Sequence, residues 1–535
     1  MIRALSIPTA AAVIALLWAA PAAAQDGDAP VPDDADEPDD APEVEPAPDA
    51  TAPKPRPPRP PGVMPPRPGA PIPSPDAPMP KAPAPLVIDD AALDALAASE
   101  GEELTRDVVA EAMAPRPGGL TLREVEERAS ETSYQVAAAQ AELRASAARV
   151  DQAFYAYFPK LTLNAAYSRL SRVENVFGDP TTGEVTAFPI ILNQWNFSAT
   201  LDVPISDYIF RLTQGYAAAK NDVAAREMEI KARQLEARAN AKIAYFNWVR
   251  AQGQGVVSAI GIALSDRLLE DTKVALEAGI ATEADVQRFE AQLAQSRHLQ
   301  NVAMNAATVA NRALRTQMHI KGNEQLAIGI DVLSDPPPEA LPKLERLETM
   351  AIESRIELKA LDRTATSLED VANVRRAGYY PRINAFASGL YANPNPRIFP
   401  QTNRFDFTWE VGVRLTWTVN ETFSTLGVVD EQQSQVDTIK AQRGQLEDAI
   451  KLEVTQAYYD LKTARSAIDS AKQREKSART NLSIRRLQFQ AGDVVATDLV
   501  DAEAQLIQAI LQRIDAHVDY LVAETRLEFA VGGGL

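Results

Sequence analysis

Two periods of apolar residues alternate along this chain, and their boundaries predict its elements. From Thr121 an Ala-rich stretch of helical period runs to about Tyr157, opened by Thr121 and Glu124 at capping-box spacing and stopped by Pro159. The period then drops to two. Leu161, Leu163, Ala165 and Tyr167 alternate with Thr162, Asn164, Ala166 and Ser168. Beyond a loop containing Gly178-Asp179-Pro180, Trp195, Phe197, Ala199, Leu201 and Val203 alternate with Asn196, Ser198, Thr200 and Asp202. Both stretches predict strands with one apolar and one wet face. A helix is then expected from about Arg211 to Ala278, with Tyr216, Val223 and Ile230, and again Met228 and Leu235, at coiled-coil spacing. At ~1.5 Å per residue it is about 100 Å long. Its return, from about Glu283 to Met318, is half that length, and Gly322 to Pro342 is a break.

The plan then repeats. A helix from about Leu344 ends near Tyr380-Pro381, a counterpart of Phe158-Pro159. A third strand follows through Ile383, Ala385 and Ala387, but Phe386 and Leu390 spoil its alternation and leave its facing open. The fourth strand is clear: Phe405, Phe407, Trp409, Val411, Val413, Leu415, Trp417 and Val419 alternate with Asp406, Thr408, Glu410, Gly412, Arg414, Thr416 and Thr418. A second long helix is expected from about Leu426 to Gln490 and a last one from Asp498 to Ala530. Each long helix thus faces two half-length partners, which would match it if stacked end to end.

The turns between the helices are duplicated too. Ala278 to Leu293 and Ala491 to Leu506 share, at one constant offset, Ala278 with Ala491, Gly279 with Gly492, Asp285 with Asp498, and a closing Glu-Ala-Gln-Leu. In each copy the Gly supplies the positive φ that ends one helix before the next begins. The domain plan is therefore repeat 1 over 116–325, with a strand hairpin at 158–206 and a helical hairpin at 211–318. Repeat 2 covers 326–535, with a strand hairpin at 381–420 and a helical hairpin at 426–530.

Composition places this plan outside the cytoplasm. Arg3, the apolar run Ile7 to Ala20 and Ala22-Ala23-Ala24 before Gln25 predict a secretory signal at 1–24. Residues 25–115 form a Pro-rich acidic tail, expected to be disordered apart from short helices over 86–113. Of the net charge of -19, residues 25–100 hold 16 acidic against 5 basic side chains, so over half the excess lies in one segment. No basic patch points to nucleic acid. With 0 Cys there is no disulfide framework and no thiolate site. His298, His319 and His517 are scattered, which favours ordinary helix residues over metal ligands. Gly253-Gln254-Gly255 has helix on both sides and no strand before it, so it is no phosphate loop. No motif places a nucleophile, base and orienting acid together, and neither catalysis nor a cofactor is expected.

No later stretch is apolar enough for a membrane-spanning helix, so membrane insertion would rest on the strands. Four strands cannot close a barrel, and open edges in lipid leave backbone groups unsatisfied, so this reading demands several copies. Together with the order and duplication of its elements, Ser354-Arg355-Ile356-Glu357-Leu358-Lys359-Ala360, Ala377-Gly378-Tyr379-Tyr380-Pro381, Ala244-Tyr245-Phe246 with its echo Ala457-Tyr458-Tyr459, and the two turns make the chain resemble a TolC-type outer-membrane efflux duct over about 120–535. The resemblance implies an internally duplicated α+β membrane protein. In it a homotrimer forms a 12-stranded β-barrel in outer-membrane lipid, four strands per chain, continued by a long α-helical coiled-coil barrel. It also implies a passive exit duct of a tripartite efflux or type I secretion system, with a periplasmic adaptor (membrane fusion protein) and an inner-membrane pump as partners. The competing class is a periplasmic helical-hairpin adaptor or scaffold without a pore, which the duplicated amphipathic strand pairs argue against.

Val500, Ile507, Ile514 and Leu521 recur at seven and predict the packed stripe of the last helix. Asp498 and Asp501 lie off it, three apart on one surface. One reading is that they complement the helix dipole, worth about 0.3–1 kcal/mol. The resemblance implies another: a periplasmic gate, in which three copies form carboxylate rings that favour cations. Asp285 matches a further gate position, whose family partners are a Tyr and an Arg, but this chain has Phe489 and Val494 there. Arg288 or Arg485 is the candidate replacement. Gly279, Ile280, Gly492 and Val494 resemble adaptor-docking tips, and ordinary helix-ending turns fit them equally well. Asp202, Glu410 and Arg414 lie on the wet strand face, expected to line the barrel lumen as general wetting.

Overall fold

A computed structural model describes residues 108–172, 175–178, 185–188, 191–321, 326–337 and 341–533. The leader expected at 1–24 and the tail up to residue 107 lie outside the described residues. Of the short helices expected over 86–113, α1 (Val108–Ala112) is described.

The stretch expected as one helix to Tyr157 is two, α2 (Leu122–Thr132) and α3 (Tyr134–Tyr155), and its counterpart in repeat 2 is α7 (Leu344–Ser354) and α8 (Ile356–Arg376). Thr121 and Glu124 do form the capping box, Glu124 Oε2 accepting from the Thr121 amide at 2.9 Å. Each break is one residue of extended backbone, Ser133 at φ -59, ψ 127 and Arg355 at φ -58, ψ 118. The long helices are α5 (Leu212–Glu277), preceded by the short α4 (Ile205–Phe210), and α9 (Val419–Gln490); their returns are α6 (Glu283–Gln317) and α10 (Ala496–Ala530).

The breaks explain how half-length helices match a long one. Thr132 Oγ1 donates to the Met318 carbonyl at the C-terminal end of α6 (3.2 Å), and Tyr134 stands edge-on to His319 at 4.4 Å. The α3 helix therefore continues α6 beyond the break at Ser133. In repeat 2, Arg355 donates to the Phe529 carbonyl (3.0 Å) and to Glu453 (2.9 Å), and Ser354 donates to the Val531 carbonyl. A helix end leaves unsatisfied carbonyls, and these side chains satisfy them, so α8 continues α10 in the same way.

Strands β1 (Lys160–Arg169), β4 (Asn193–Pro204), β5 (Arg382–Asn393) and β6 (Asp406–Thr416) form one antiparallel sheet in the order β1-β4-β5-β6. Between β1 and β4 lies an unforeseen hairpin of β2 (Asn175–Gly178) and β3 (Val185–Phe188), in the stretch expected as loop. Directly paired residues share a face, so the register settles β5. Ala387 pairs with Leu201 and Val411, and Tyr391 with Phe197 and Phe407, which puts its odd-numbered residues on the apolar face. Phe386, opposite Asp202 and Gly412, and Leu390, opposite Ser198 and Thr408, lie on the polar face. The apolar face is bare: Leu163, Trp409 and Val411 are each about 70% exposed. Trp417 and Val419 were expected to prolong β6. Instead Thr418 begins α9, Glu421 supplies a first-turn acid, and the Trp417 indole donates to Thr422 (3.2 Å). No helix among the described residues is long and apolar enough to cross a membrane.

The main core is buried where α1 and α2 meet α5. Tyr245, Phe246 and Trp248 are fully buried there. The Tyr245 hydroxyl donates to the Leu120 carbonyl (2.9 Å) and accepts from the Gly329 amide (3.2 Å), joining the two segments that pair through Leu120 and Ile328. Burial pushes its phenol up to about 12. Gly119 and Gly329 are required here, because a Cβ on either would lie within 2.6 Å of the other segment's backbone. Tyr245→Phe is expected to strand two buried backbone groups and cost about 1–3 kcal/mol. A fall in thermal midpoint, absent in the exposed control Tyr459→Phe, checks this.

Candidate functional site

The two hairpin tips are built alike and then diverge. At the first, Ala278 caps α5, Gly279 takes φ +73, and the Ile280 amide bonds back to the Ala275 carbonyl at 2.9 Å. At the second, Ala491 caps α9, Gly492 takes φ +81, and the Asp493 amide bonds to the Gln488 carbonyl at 2.9 Å. Both are the six-to-one closure that a positive-φ residue allows. Val494 packs against the core at the second tip, while Ile280 stays half exposed at the first.

The helices leaving the tips start differently. In α6, Thr282 caps Asp285 and Asp285 caps Thr282 in return, its Oδ2 accepting from the Thr282 amide (2.9 Å) and hydroxyl (2.7 Å). The Asp285 carboxylate therefore serves its own helix. In α10 the equivalent cap is Val495, which has no side-chain acceptor, so Asp498 is relieved of that task. Asp498 is half buried and lies 3.9 Å from Arg485 on α9; Asp501, one turn on, is exposed.

Three contacts tie the hairpins together in place of a Tyr and an Arg. Phe489 meets Phe289 edge-on with centroids 6.2 Å apart. Arg288 on α6 donates to Thr497 on α10, and Arg486 on α9 pairs with Asp271 on α5 at 2.7 Å. Of the two candidate replacements, Arg288 crosses between hairpins and Arg485 stays within its own. A cavity of about 240 Å³ lies beside these contacts, lined by Leu268, Asp271, Val274, Ile280, Arg486 and Phe489 among others.

The stripe expected on α10 is displaced. Ile514 is fully buried, but Val500, Ile507 and Leu521 are only partly so. The buried line runs through Leu499, Glu503, Leu506, Ile510 and Ile514. A carboxylate thus occupies a core position, where burial pushes it up to about 7. Its duplicate, Glu290, is exposed, and a shared Glu-Ala-Gln-Leu gave no sign of the difference.

On the sheet, Asp202, Glu410 and Arg414 share the polar face, and the β5–β6 connection folds back over it. Asn395 is buried, its amide donating to the Asp406 carbonyl (2.9 Å) and Thr408 hydroxyl (3.2 Å), and Arg397 pairs with Glu410 at 2.7 Å. Leu390 is covered there. Arg414 lies 4.8 Å over the Phe386 ring, a cation–π contact that shields the other apolar residue on the wet side. The three residues are therefore not equivalent, since Glu410 and Arg414 have specific partners. His298 is exposed, His319 ends α6 at φ +51, and His517 is buried with Nδ1 on the Arg513 carbonyl (2.8 Å). The described residues hold no cluster suited to a metal ion.

The sequence matches the family described as Outer membrane efflux protein over residues 126–318 and 348–533. The fold is similar to solved structures of CusC (15% identity, 77% of this chain and 92% of that chain, TM-score 0.65), of the CmeC outer membrane channel of Campylobacter jejuni (18%, 77% and 86%, 0.64) and of the MtrE outer membrane channel of Neisseria gonorrhoeae in its open state (19%, 77% and 89%, 0.61). No curated protein matches. With the family match covering most of the chain and the strand-and-hairpin plan present twice, the chain belongs to the outer membrane efflux protein family, as a non-enzymatic channel of the outer membrane that extends into the periplasm.

Proposed function

We propose that three copies of this chain assemble into the duct, twelve strands closing the barrel and the helical hairpins the tunnel below it. A signal at residues 1–24 exports the chain, and a periplasmic adaptor at the tips, around Gly279, Ile280, Gly492 and Val494, couples it to an inner-membrane pump. The observation that carries this reading is the sheet: β1 and β6 are its open edges, and its apolar face is bare. In lipid such edges must be paired, and neighbouring copies pair them. Detergent-extracted mass with bilayer conductance is the test. A conducting trimer is expected, and a soluble, non-conducting monomer would sink the proposal.

The periplasmic entrance is assigned to Asp498 and Asp501. The missing side-chain cap at Val495 supports this, because it removes the capping explanation for Asp498. Replacing both aspartates by alanine is expected to weaken cation selectivity and divalent block, read from reversal potentials in asymmetric salt. Unchanged selectivity would return the pair to the helix dipole. Asp285, engaged in its own cap, acts here by fixing the start of α6. Asp202, Glu410 and Arg414 line the barrel lumen in this reading.

A further inference from the structure

Glu503 is 1% exposed within a single chain, so no neighbouring copy reaches it to supply a counter-charge. Its Oε1 accepts from the Ser265 hydroxyl of α5, and Ser265 Oγ lies 3.0 Å from Ser296 Oγ of α6. Its Oε2 has no hydrogen-bond partner. One buried polar chain therefore joins α10, of the second hairpin, to both helices of the first.

The charged groups nearby are turned elsewhere. On α5, Asp266 is exposed and Arg267 pairs with Asp271 at 3.3 Å; on α6, Glu290, Arg297 and His298 are exposed. On α9, Arg479 holds Glu475 at 2.6 Å, Arg486 holds Asp271, and Arg485 faces Asp498; on α10 itself Asp501 is exposed. Among the described residues the one polar partner of the carboxyl group is the Ser265 hydroxyl, itself bonded to Ser296.

Hydroxyls serve either protonation state, with unequal results. Neutral Glu503 can donate its proton to Ser265, which then donates to Ser296, and no charge is buried. Ionised Glu503 accepts from Ser265 while Ser296 donates to Ser265, which leaves a full charge in a dry junction with one oxygen unsatisfied. Water reaches that oxygen only if α10 moves off α5 and α6.

We propose that Glu503, with Ser265 and Ser296, is a proton-operated latch between the hairpins: neutral, it holds the entrance closed, and on losing its proton to periplasmic water it favours opening. The inference rests on the entrance reading above. Its sign follows from the direction of the shift. A carboxyl raised by burial from 4.5 to about 7 supports the packed state fully below about pH 4.5, and that support drains away as pH rises to about 7. The closed-to-open ratio falls on the order of a hundredfold across that window.

The test uses the full-length protein in planar bilayers, with pH varied from about 5 to 8 on the tip side. Wild type is expected to open progressively up to about pH 7 and then level off. Glu503→Gln, which mimics the neutral acid, is expected to stay at the acid level of opening throughout. Asp498→Asn with Asp501→Asn is expected to keep the rise, which separates the latch from the gate aspartates. Ser265→Ala, which removes the partner of the ionised form, is expected to move the midpoint upward and covers the case of a misassembled Gln variant. Burial also raises the Asp515 and Glu524 carboxyls, so infrared difference spectra between the two pH extremes are expected to show a loss of protonated carboxyl in wild type that is smaller by one group in Glu503→Gln. A rise retained in Glu503→Gln, or an equal loss of protonated carboxyl in both proteins, overturns the latch while leaving the duct intact. A wild type that conducts at no pH overturns the duct and the latch together.

Discussion

Val411→Arg is expected to abolish assembly in the outer membrane, while Thr200→Arg, which puts the same side chain on the other side of the same sheet, is tolerated. Val411 is in the middle of β6, 71% exposed, between Trp409 and Val413 and opposite Ala387. Nothing among the described residues covers that row, so the reading of the apolar face as lipid-facing makes the bilayer its solvent. An arginine at mid-depth on a lipid-facing strand costs about 2–4 kcal/mol, and every copy in the assembly incurs it. Thr200 sits between Thr162 and Ser388 on the polar face, where a guanidinium keeps its water. Membrane-fraction yield and detergent-resistant oligomer on a gel distinguish the two. Normal assembly of Val411→Arg would reverse the assignment of the faces.

The second large effect is expected at the tips. Arg288→Ala removes the polar contact that crosses from α6 to α10, whereas Arg485→Ala removes a 3.9 Å pair within one hairpin. An exposed ion pair that long is worth little. A charge-assisted bond between two moving parts, discounted for its exposure, is worth about 1–1.5 kcal/mol, a five- to tenfold shift per chain. Three chains opening together compound it, so Arg288→Ala is expected to raise bilayer conductance strongly and Arg485→Ala only slightly. Equal effects would mean that the crossing contact does not restrain opening. Phe289→Ala is the wrong probe, because removing a fully buried ring costs about 3–5 kcal/mol of stability and loosens the fold itself.

Much of this architecture was legible because alternation and heptads act over long stretches. The strands around Leu161, Trp195 and Phe407 and the helices from Leu212 and toward Gln490 follow from periodicity alone. What escaped depends on contacts that sequence neighbours do not reveal. The breaks at Ser133 and Arg355 carry no Gly or Pro; the partner that stabilises Arg355, the Phe529 carbonyl, is far along the chain. Phe386 and Leu390 read as errors in β5 because Arg414 and the folded β5–β6 connection cover them from outside the strand. Asp285 and Asp498 occupy one position of a duplicated motif, and a single difference, Thr282 against Val495, commits one to its helix and releases the other. Glu290 and Glu503 share their motif as well, yet Glu290 is exposed while Glu503 is buried against Ser265 of α5.

The breaks also divide mechanical labour. A continuous helix carries twist along its whole length, whereas a stack of two helices resists compression but passes little torque. Each repeat therefore pairs a stiff spine, α5 or α9, with a jointed column, α3 on α6 or α8 on α10. Polar contacts between the tips join both kinds of member: Arg288 with Thr497, and Ser296 with Glu503 through Ser265, engage the columns, while Arg486 with Asp271 joins the two spines. Rotation of α6 and α10 below the joints at Ser133 and Arg355 therefore passes little torque to α3 and α8 above, and twist generated at the tips reaches the strands through the unbroken spines α5 and α9 alone.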